Sequence, residues 1–577
     1  MKLKFTIPAA ILLFLLLYIL LLSVRPLFSP DEYRYIEIPR EMLADHDFVT
    51  PRLNGARYFE KPVMGYWLIA GAIKVFGKNA FAARFAPAVS TGLAALIVAL
   101  LGAKLTGRRE QGWYAAVCFL VMPLVFIVGT TCSLDAVFSF FVTATIASFY
   151  CASECCREKQ KRTHLLLWLL ATGGAAGCAF LVKGFLAFVL PVMAVLPWMI
   201  WEKRWKEIFT LPWLPFVVAL AVIAPWAILI HRAEPDYWRY FVMEEHFARF
   251  FGGVEAEHPH GPFFFVLILL AGAAEWFLLS PAIGYGVGKI GVRGEKNSWF
   301  RFLICWFAGP FLFLSASSGK LPTYILPCFP ALAIMISAAL FRYFERDRPD
   351  GKGRDKLFDL PLLVFVVLGL IAGPVALIVI FHVLPKYFDV ALYGGGETGK
   401  SLIMIVAFVL VLSGVVAAFS AKQPVRKLSC FIAAVVPVFV VAFFVVPKSF
   451  YDARTMDVFL EECRDEITPD TVIIAKGSCC QAVCCVYERN DIYIIAPGEL
   501  TYGLSYPEDK HRDLAVHLLK QFFAEHPGQK VVMFFSADRY YRLCQENKFP
   551  PALSVKKSIP DDPEDKHANG KVMVRFQ

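Results

Sequence analysis

Charge is scarce in this chain: only 18% of its 577 residues are Asp, Glu, Lys or Arg, whereas 58% are hydrophobic. So little charge excludes intrinsic disorder, which needs low hydrophobicity and high net charge. It also excludes an ordinary soluble domain, where about 25% of residues are charged and about 45–50% apolar. Internal repeats and low-complexity tracts are absent, so the paired halves common in transporters are not visible. The net charge of +10 comes without any nucleic-acid-binding signature. Its Lys and Arg residues fall mostly in short loops between apolar runs, so no nucleic-acid partner is expected.

What the chain has instead is a succession of long apolar runs, at roughly 5–24, 81–106, 113–131, 134–151, 165–182, 184–201, 211–231, 262–288, 300–317, 323–341, 358–382, 401–421 and 426–447. Each is long enough to cross a hydrocarbon core of about 30 Å at about 1.5 Å per residue. The fold class read from this pattern is a polytopic α-helical membrane protein with about 13 transmembrane helices. The first run lacks a small-residue cleavage site before Arg25-Pro26, so it reads as an uncleaved anchor. With the N-terminus inside, every cytoplasmic loop bears Lys or Arg, from Arg108-Arg109 to the segment Lys422 to Lys427. An odd count then puts the tail on the outer face.

Cysteine is plentiful, at 15 residues, but most of it looks inert. Cys118, Cys178, Cys305 and Cys430 lie inside apolar runs and behave there as small hydrophobes. Cys155 and Cys156 share a basic loop expected to be cytoplasmic. Cys479-Cys480 and Cys484-Cys485 lie in the hydrophilic tail with no following His pair, which disfavours a zinc site. In an oxidising compartment one or two disulfides are the expectation there.

Residues 1–447 are read as the transmembrane domain, with outer loops at about 25–80 and about 232–261, and residues 448–577 as an α/β domain on the outer face. Both loops exceed a simple connector, and loops of that length usually carry function. Tyr33 to Leu43 and Val63 to Phe76 have helical apolar spacing and are read as amphipathic helices on the membrane surface. In the tail, strands are expected at 471–475, 491–496, 530–536 and 571–577, with helices at 456–467, 514–526 and 537–547 between them. The tail has no nucleotide-binding glycine loop and no catalytic triad, so covering or stabilising the membrane part is its expected role.

Chemistry-bearing residues gather on the outer face. Ser29-Pro30-Asp31-Glu32-Tyr33-Arg34-Tyr35 puts two carboxylates just beyond the first span. Carboxylates there are costly unless they face a cavity or a cation, yet they equally suit a helix N-terminus. Composition alone leaves both readings open. Asn54-Gly55-Ala56-Arg57-Tyr58-Phe59-Glu60-Lys61-Pro62 sets another acid beside a base, and Asp135 stands alone at the outer end of a span. Lys183 in the turn Val182-Lys183-Gly184, Lys320 in Gly319-Lys320-Leu321-Pro322, and His246 and Arg249 add cations. Singly, each reads as a snorkelling anchor. Together, acids and bases on one face beside a bilayer point to a site for an anionic lipid headgroup.

The stretches Asp31-Glu32-Tyr33-Arg34-Tyr35, Arg40-Glu41-Met42-Leu43, Leu53-Asn54-Gly55 with Arg57-Tyr58-Phe59-Glu60-Lys61-Pro62, and Gly319-Lys320-Leu321-Pro322-Thr323-Tyr324-Ile325-Leu326-Pro327 resemble those of bacterial 4-amino-4-deoxy-L-arabinose (Ara4N) lipid A transferases. That family belongs to the GT-C class of polyprenyl-phosphate-dependent glycosyltransferases and is related to protein O-mannosyltransferases. The layout of the whole chain fits it. Tyr33 and Pro39, within the acidic motif, and the paired tail cysteines depart from it.

The resemblance implies a GT-C fold and transfer of a sugar from undecaprenyl phosphate to a lipid A phosphate, on the periplasmic face of the bacterial inner membrane. It implies Asp31 and Asp135 near the catalytic centre, joined there by the adjacent Glu32, and resistance to polymyxin-like cationic peptides. It implies Tyr58, Glu60 and Lys61 at the site, with Lys61, Arg249 and Tyr324 holding the carrier phosphate and Lys183 and Lys320 adding cationic substrate contacts. It implies Glu60 with His246 as ligands of a divalent metal ion (zinc, magnesium or manganese). Partners are then the lipid-linked sugar, lipid A or another envelope acceptor, and membrane lipids, with the protein acting as a monomer. Three rivals are carried forward: a transferase acting on protein Ser or Thr, a transporter of lipid-linked sugars, and a non-catalytic binding protein.

Overall fold

The computed structural model describes residues 6–248, 260–345, 356–384, 393, 395–545, 552–557 and 571–576. The chain divides into two compact units, one of residues 1–22 and 84–445, the other of residues 23–83 and 446–577.

The first unit is helical. Among the described residues, nine helices are long and apolar enough to cross a bilayer, and a pair bent by 69°, Arg109–Leu120 and Pro123–Gly129, makes up to ten. The three other apolar runs are helical but short or broken. Thr6–Phe14 passes into a π-helical turn at Leu15–Ile19, Leu186–Trp201 has 16 residues, and the run at 262–288 splits into Phe264–Gly272, Ala274–Leu278 and Ser280–Ile290. Hydropathy registers the apolar run, but it is silent on where the hydrogen-bond ladder breaks. Close approach of helices rests on small residues. A Cβ on Gly309 would lie 1.9 Å from the Met193 carbonyl oxygen, and one on Gly286 would lie 2.0 Å from that of Ala339.

The second unit joins the loop after the first span to the tail. Its sheet comprises β1 (Val472–Lys476), β2 (Tyr493–Ile495), β3 (Val531–Ser536), β4 (Ser554–Lys557) and β5 (Lys571–Phe576), in the order β2-β1-β3-β5-β4. β1 pairs in parallel with β2 and β3, whereas β5 runs antiparallel to both β3 and β4. The four expected strands are present. The fifth, β4, is short and half exposed at the sheet edge, so it carries no apolar pattern to read. Val531, Met533, Phe535, Val572, Val574 and Phe576 build the core against Leu519, Phe522 and Phe523 of the helix Leu519–Glu525.

Two expectations are corrected here. The helix Asp31–Asp45 does not lie on a surface: Glu32, Tyr33, Arg34, Ile36, Glu37, Ile38, Pro39, Glu41 and Met42 are all buried. The second helix, Met64–Phe76, does expose Leu68, Val75 and Phe76. The four tail cysteines sit on one helix, Gly477–Tyr487, as buried thiols, and all 15 cysteines of the chain are free. The i, i+4 spacing stacks Cys480 and Cys484 on successive turns with their sulfurs 3.6 Å apart, in van der Waals contact and far beyond a bond of about 2.05 Å.

Candidate functional site

In the second unit, the helix Asp31–Asp45 opens with both acids in its first turn, but they do different things. Glu32 is buried. It accepts hydrogen bonds from Arg25 (2.6 and 3.2 Å) and from the Phe28 backbone N–H (2.9 Å), so its charge is spent fixing the approach to the helix. Asp31 remains 65% exposed and meets Arg34 one turn further on.

The Arg34 side chain is only 8% exposed and serves as a hub. It donates to the carboxylates of Asp31 and Glu499 and to the Tyr58 hydroxyl at 3.2 Å, and it lies over the Tyr35 ring at 5.0 Å. Tyr58 in turn donates to Glu499 at 3.4 Å. Burial pushes the Tyr58 phenol well above its ordinary value, so it acts as a neutral hydrogen-bonding group.

A hairpin aims the segment that follows. Arg52–Leu53 pairs with Ala56–Arg57 across Asn54-Gly55, both of which have positive φ (55° and 70°), the geometry an Asn-Gly turn favours. The Asn54 amide clamps Ile492, donating to its carbonyl at 2.8 Å and accepting from its N–H at 3.0 Å. The hairpin delivers Tyr58, buried Glu60 and half-buried Lys61, whose ammonium donates to the Glu60 carbonyl at 3.1 Å.

In the first unit, Asp135 starts the helix Leu134–Arg157 and Lys183 ends the helix Arg162–Lys183. The two meet at 2.5 Å, with Lys183 at 4.8 Å over the Tyr324 ring. Gly184 makes the turn possible: at φ 73° and ψ −142° its backbone sits where only glycine is at ease. A Cβ there would lie 2.6 Å from Phe241 and 2.7 Å from His246 Nε2. His246 Nδ1 donates to the Phe241 carbonyl at 2.7 Å, because a carbonyl oxygen can only accept. Lys320 is buried and donates to the carbonyls of His260 (3.0 Å) and Ser317. An apolar cavity of about 740 Å³ lies between the helices here, lined by Phe180, Phe185, Phe188, Val192, Leu220 and Trp238.

The structure therefore gathers Asp135, Lys183 and Tyr324 in one unit and Asp31 and Tyr58, through Arg34, in the other. Lys320 is held by backbone carbonyls, and Arg249 lies outside the described residues. Glu60 and His246 belong to different units, and among the described residues no group of three or more His, Cys, Asp or Glu side chains forms a metal-holding cluster. Sequence reasoning passed over Arg34 and Glu499. Arg34 carries a local signal, standing three residues after Asp31 and so on the same helix face. Glu499 carries none, because only the fold brings it to Arg34.

A family model described as dolichyl-phosphate-mannose-protein mannosyltransferase matches residues 4–241, and one described as the C-terminal domain of arabinosyl transferase ArnT matches residues 451–559. The chain is 33% identical over 545 residues to the undecaprenyl phosphate-alpha-4-amino-4-deoxy-L-arabinose arabinosyl transferase of Shewanella sediminis, covering 93% of this chain and 94% of that protein. It is 35% identical over 538 residues to the protein of that name from Erwinia tasmaniensis, covering 92% and 93%. Among solved structures it is similar to ArnT from Cupriavidus metallidurans bound to undecaprenyl phosphate. That likeness has a TM-score of 0.79 at 21% identity over 100% of this chain and 98% of that one, and it establishes the fold. The apo state of that protein gives 0.77 at the same identity.

Proposed function

Since the chain belongs to the family of undecaprenyl phosphate-alpha-4-amino-4-deoxy-L-arabinose arabinosyl transferases, we propose that it moves that aminosugar from undecaprenyl phosphate to a phosphate of lipid A, on the periplasmic face of the bacterial inner membrane. Similarity along nearly the whole of both chains carries this reading, because it includes the membrane part and the tail alike. The chain is a multi-pass membrane glycosyltransferase using a lipid-linked sugar. The alternation of basic loops supports a cytoplasmic N-terminus and a periplasmic tail. The protein acts as a monomer in this proposal, and resistance to cationic peptides follows from masking lipid A phosphate with a cation.

The chemistry needs little acid–base help. A phosphate acceptor is already ionised near neutral pH, and the departing phosphate is a weak base. The demand is to stabilise charge on the leaving phosphate and to hold two mutually repelling anions in line. Lys61, Lys183, Lys320, Arg249 and Tyr324 suit the anions, and the apolar cavity in the helical unit suits an isoprenoid chain. Asp31, exposed at a helix start, suits the ammonium of the sugar. Asp135 and Lys183 neutralise one another at rest and would separate their roles only with substrate present.

Glu60 and His246 are proposed to hold the divalent metal, which would supply positive charge for the leaving phosphate. The tautomer fits: with Nδ1–H bonded to a carbonyl, Nε2 carries the lone pair, as in metal-ligating imidazoles.

Mass spectrometry of lipid A tests the function, using cells that make the lipid-linked aminosugar with and without this chain. One added aminopentose is expected, and at least a tenfold loss of it with Asp31→Asn. Unmodified lipid A beside glycosylated envelope protein would instead favour the reading named by the mannosyltransferase model. Full modification by Asp31→Asn would remove Asp31 from the site.

A further inference from the structure

The tail has no catalytic motif, yet one of its side chains reaches the hub of the outer-loop constellation. Glu499 sits in the single turn Gly498–Leu500, with its side chain 29% exposed, and its carboxylate accepts hydrogen bonds from both Arg34 and Tyr58. Two carboxylates, those of Asp31 and Glu499, therefore share one guanidinium. The arithmetic of charge is simple: two negatives against one positive leave the trio at −1. Were Glu499 neutral, Arg34 would cancel Asp31 and the trio would be at zero.

The arrangement is also specific in geometry. Arg34 is tethered on one side by Tyr58 and covered by Tyr35, and its Nε finds no partner among the described residues. Its two terminal nitrogens are thus divided, Nη1 to Glu499 and Tyr58, Nη2 to Asp31. A bidentate grip on Asp31, which an isolated Asp–Arg pair tends to adopt, is prevented because Glu499 occupies the other nitrogen.

We propose that Glu499 is a positioning residue: by engaging Arg34 it keeps Asp31 as a net negative group that selects a cationic sugar on the lipid carrier. This rests on the aminosugar-transfer reading above and adds a source of specificity to it. The C-terminal part then contributes to recognition of the donor as well as to packing. Glu499 touches no reacting atom in this scheme; its effect passes through Arg34.

The test compares Glu499→Gln with Glu499→Ala in the full-length protein, purified in lipid nanodiscs. Transfer to lipid A is assayed with two synthetic polyprenyl-phosphate donors, one carrying the 4-aminopentose and one the same pentose with a 4-hydroxyl. Gln keeps an acceptor for Arg34 and Tyr58 but removes the charge. The expectation is that Gln and Ala both raise KM for the aminopentose donor about tenfold, with kcat within about threefold of wild type, a change of about 1.4 kcal/mol in donor binding. The preference for the aminopentose donor over the neutral one should fall by a similar factor. Glu499→Asp should restore part of that preference.

A Gln variant with wild-type KM and preference beside a defective Ala variant would mean that Glu499 only packs, and would overturn the proposal. So would loss of kcat alone in both variants, or an equal loss on both donors. Thermal unfolding checks that the Gln variant is folded. If wild-type protein transfers neither donor to lipid A, it is the underlying reading of function that fails.

Discussion

A charge at a helix start is not one kind of residue, and the pair Asp31 and Glu32 shows it. Adjacent in sequence, both in a first turn, they differ in that Glu32 is consumed by Arg25 and Phe28 whereas Asp31 keeps an open face. Sequence can say that both acids suit a helix N-terminus; which of them is spent on structure depends on a partner at Arg25 that the fold alone brings round. Gly184 is a second residue whose meaning is geometric. It allows Lys183 to end its helix at Asp135, and it leaves room for the His246 ring. Gly184→Ala must strain a backbone at φ 73° and drive a methyl into Phe241 and His246. A cost of about 1–3 kcal/mol is expected from the conformation alone. The measurable outcome is a fall of several degrees in Tm together with a transfer rate reduced at least tenfold. A variant with unchanged rate would show that the position of His246 does not matter to turnover.

At the scale of elements, legibility followed periodicity. The long apolar runs and four of the five sheet strands could be read because burial imposes a pattern on consecutive residues. The helix Gly477–Tyr487 is not legible because its sequence, Gly-Ser-Cys-Cys-Gln-Ala-Val-Cys-Cys-Val-Tyr, reads as a cysteine motif before it reads as a helix. Once it is a helix, the cysteines are explained as apolar packing. Cys479, Cys480, Cys484 and Cys485 are all buried, and burial raises the thiols of Cys479, Cys484 and Cys485 above their ordinary range, which disfavours the thiolate needed for reaction. Alkylation with a maleimide should therefore label exposed Cys156 and Cys544 in the folded protein and reach these four only on unfolding. A mass deficit from bonded sulfurs, found under non-reducing conditions, would restore the disulfide expectation. The helix Asp31–Asp45 departs from the amphipathic expectation because its charged residues are not a wet face: Glu37 pairs with Arg40 at 2.7 Å in the interior, and Glu41 lies 3.9 Å from the same guanidinium.

That buried trio, carried on one helix, gives the stability of the whole molecule a dependence on pH. Glu37 accepts a two-pronged bond from Arg40 at 2.7 and 2.8 Å, and Glu41 accepts from the Gly55 N–H at 2.9 Å. One guanidinium serves two enclosed carboxylates, so burial first, and then the charge of Glu37, pushes the Glu41 carboxyl well above the ordinary carboxylate range. Burial raises Glu37 as well, against the pull of Arg40. A carboxyl whose pKa is higher folded than unfolded binds more protons in the folded state over the interval between the two values. Unfolding then becomes easier as pH rises through that interval, the opposite of the ordinary paired-carboxylate case. The folded protein should thus lose thermal stability between about pH 5 and about pH 8, with Glu41 contributing a definite part of the slope. Glu41→Gln keeps an acceptor for Gly55 and cannot ionise. Its Tm should vary less over that range than wild type and lie above wild type at the alkaline end. Parallel Tm curves for the two proteins would show that Glu41 is ionised throughout, and that Arg40 is strong enough to hold both charges inside the fold.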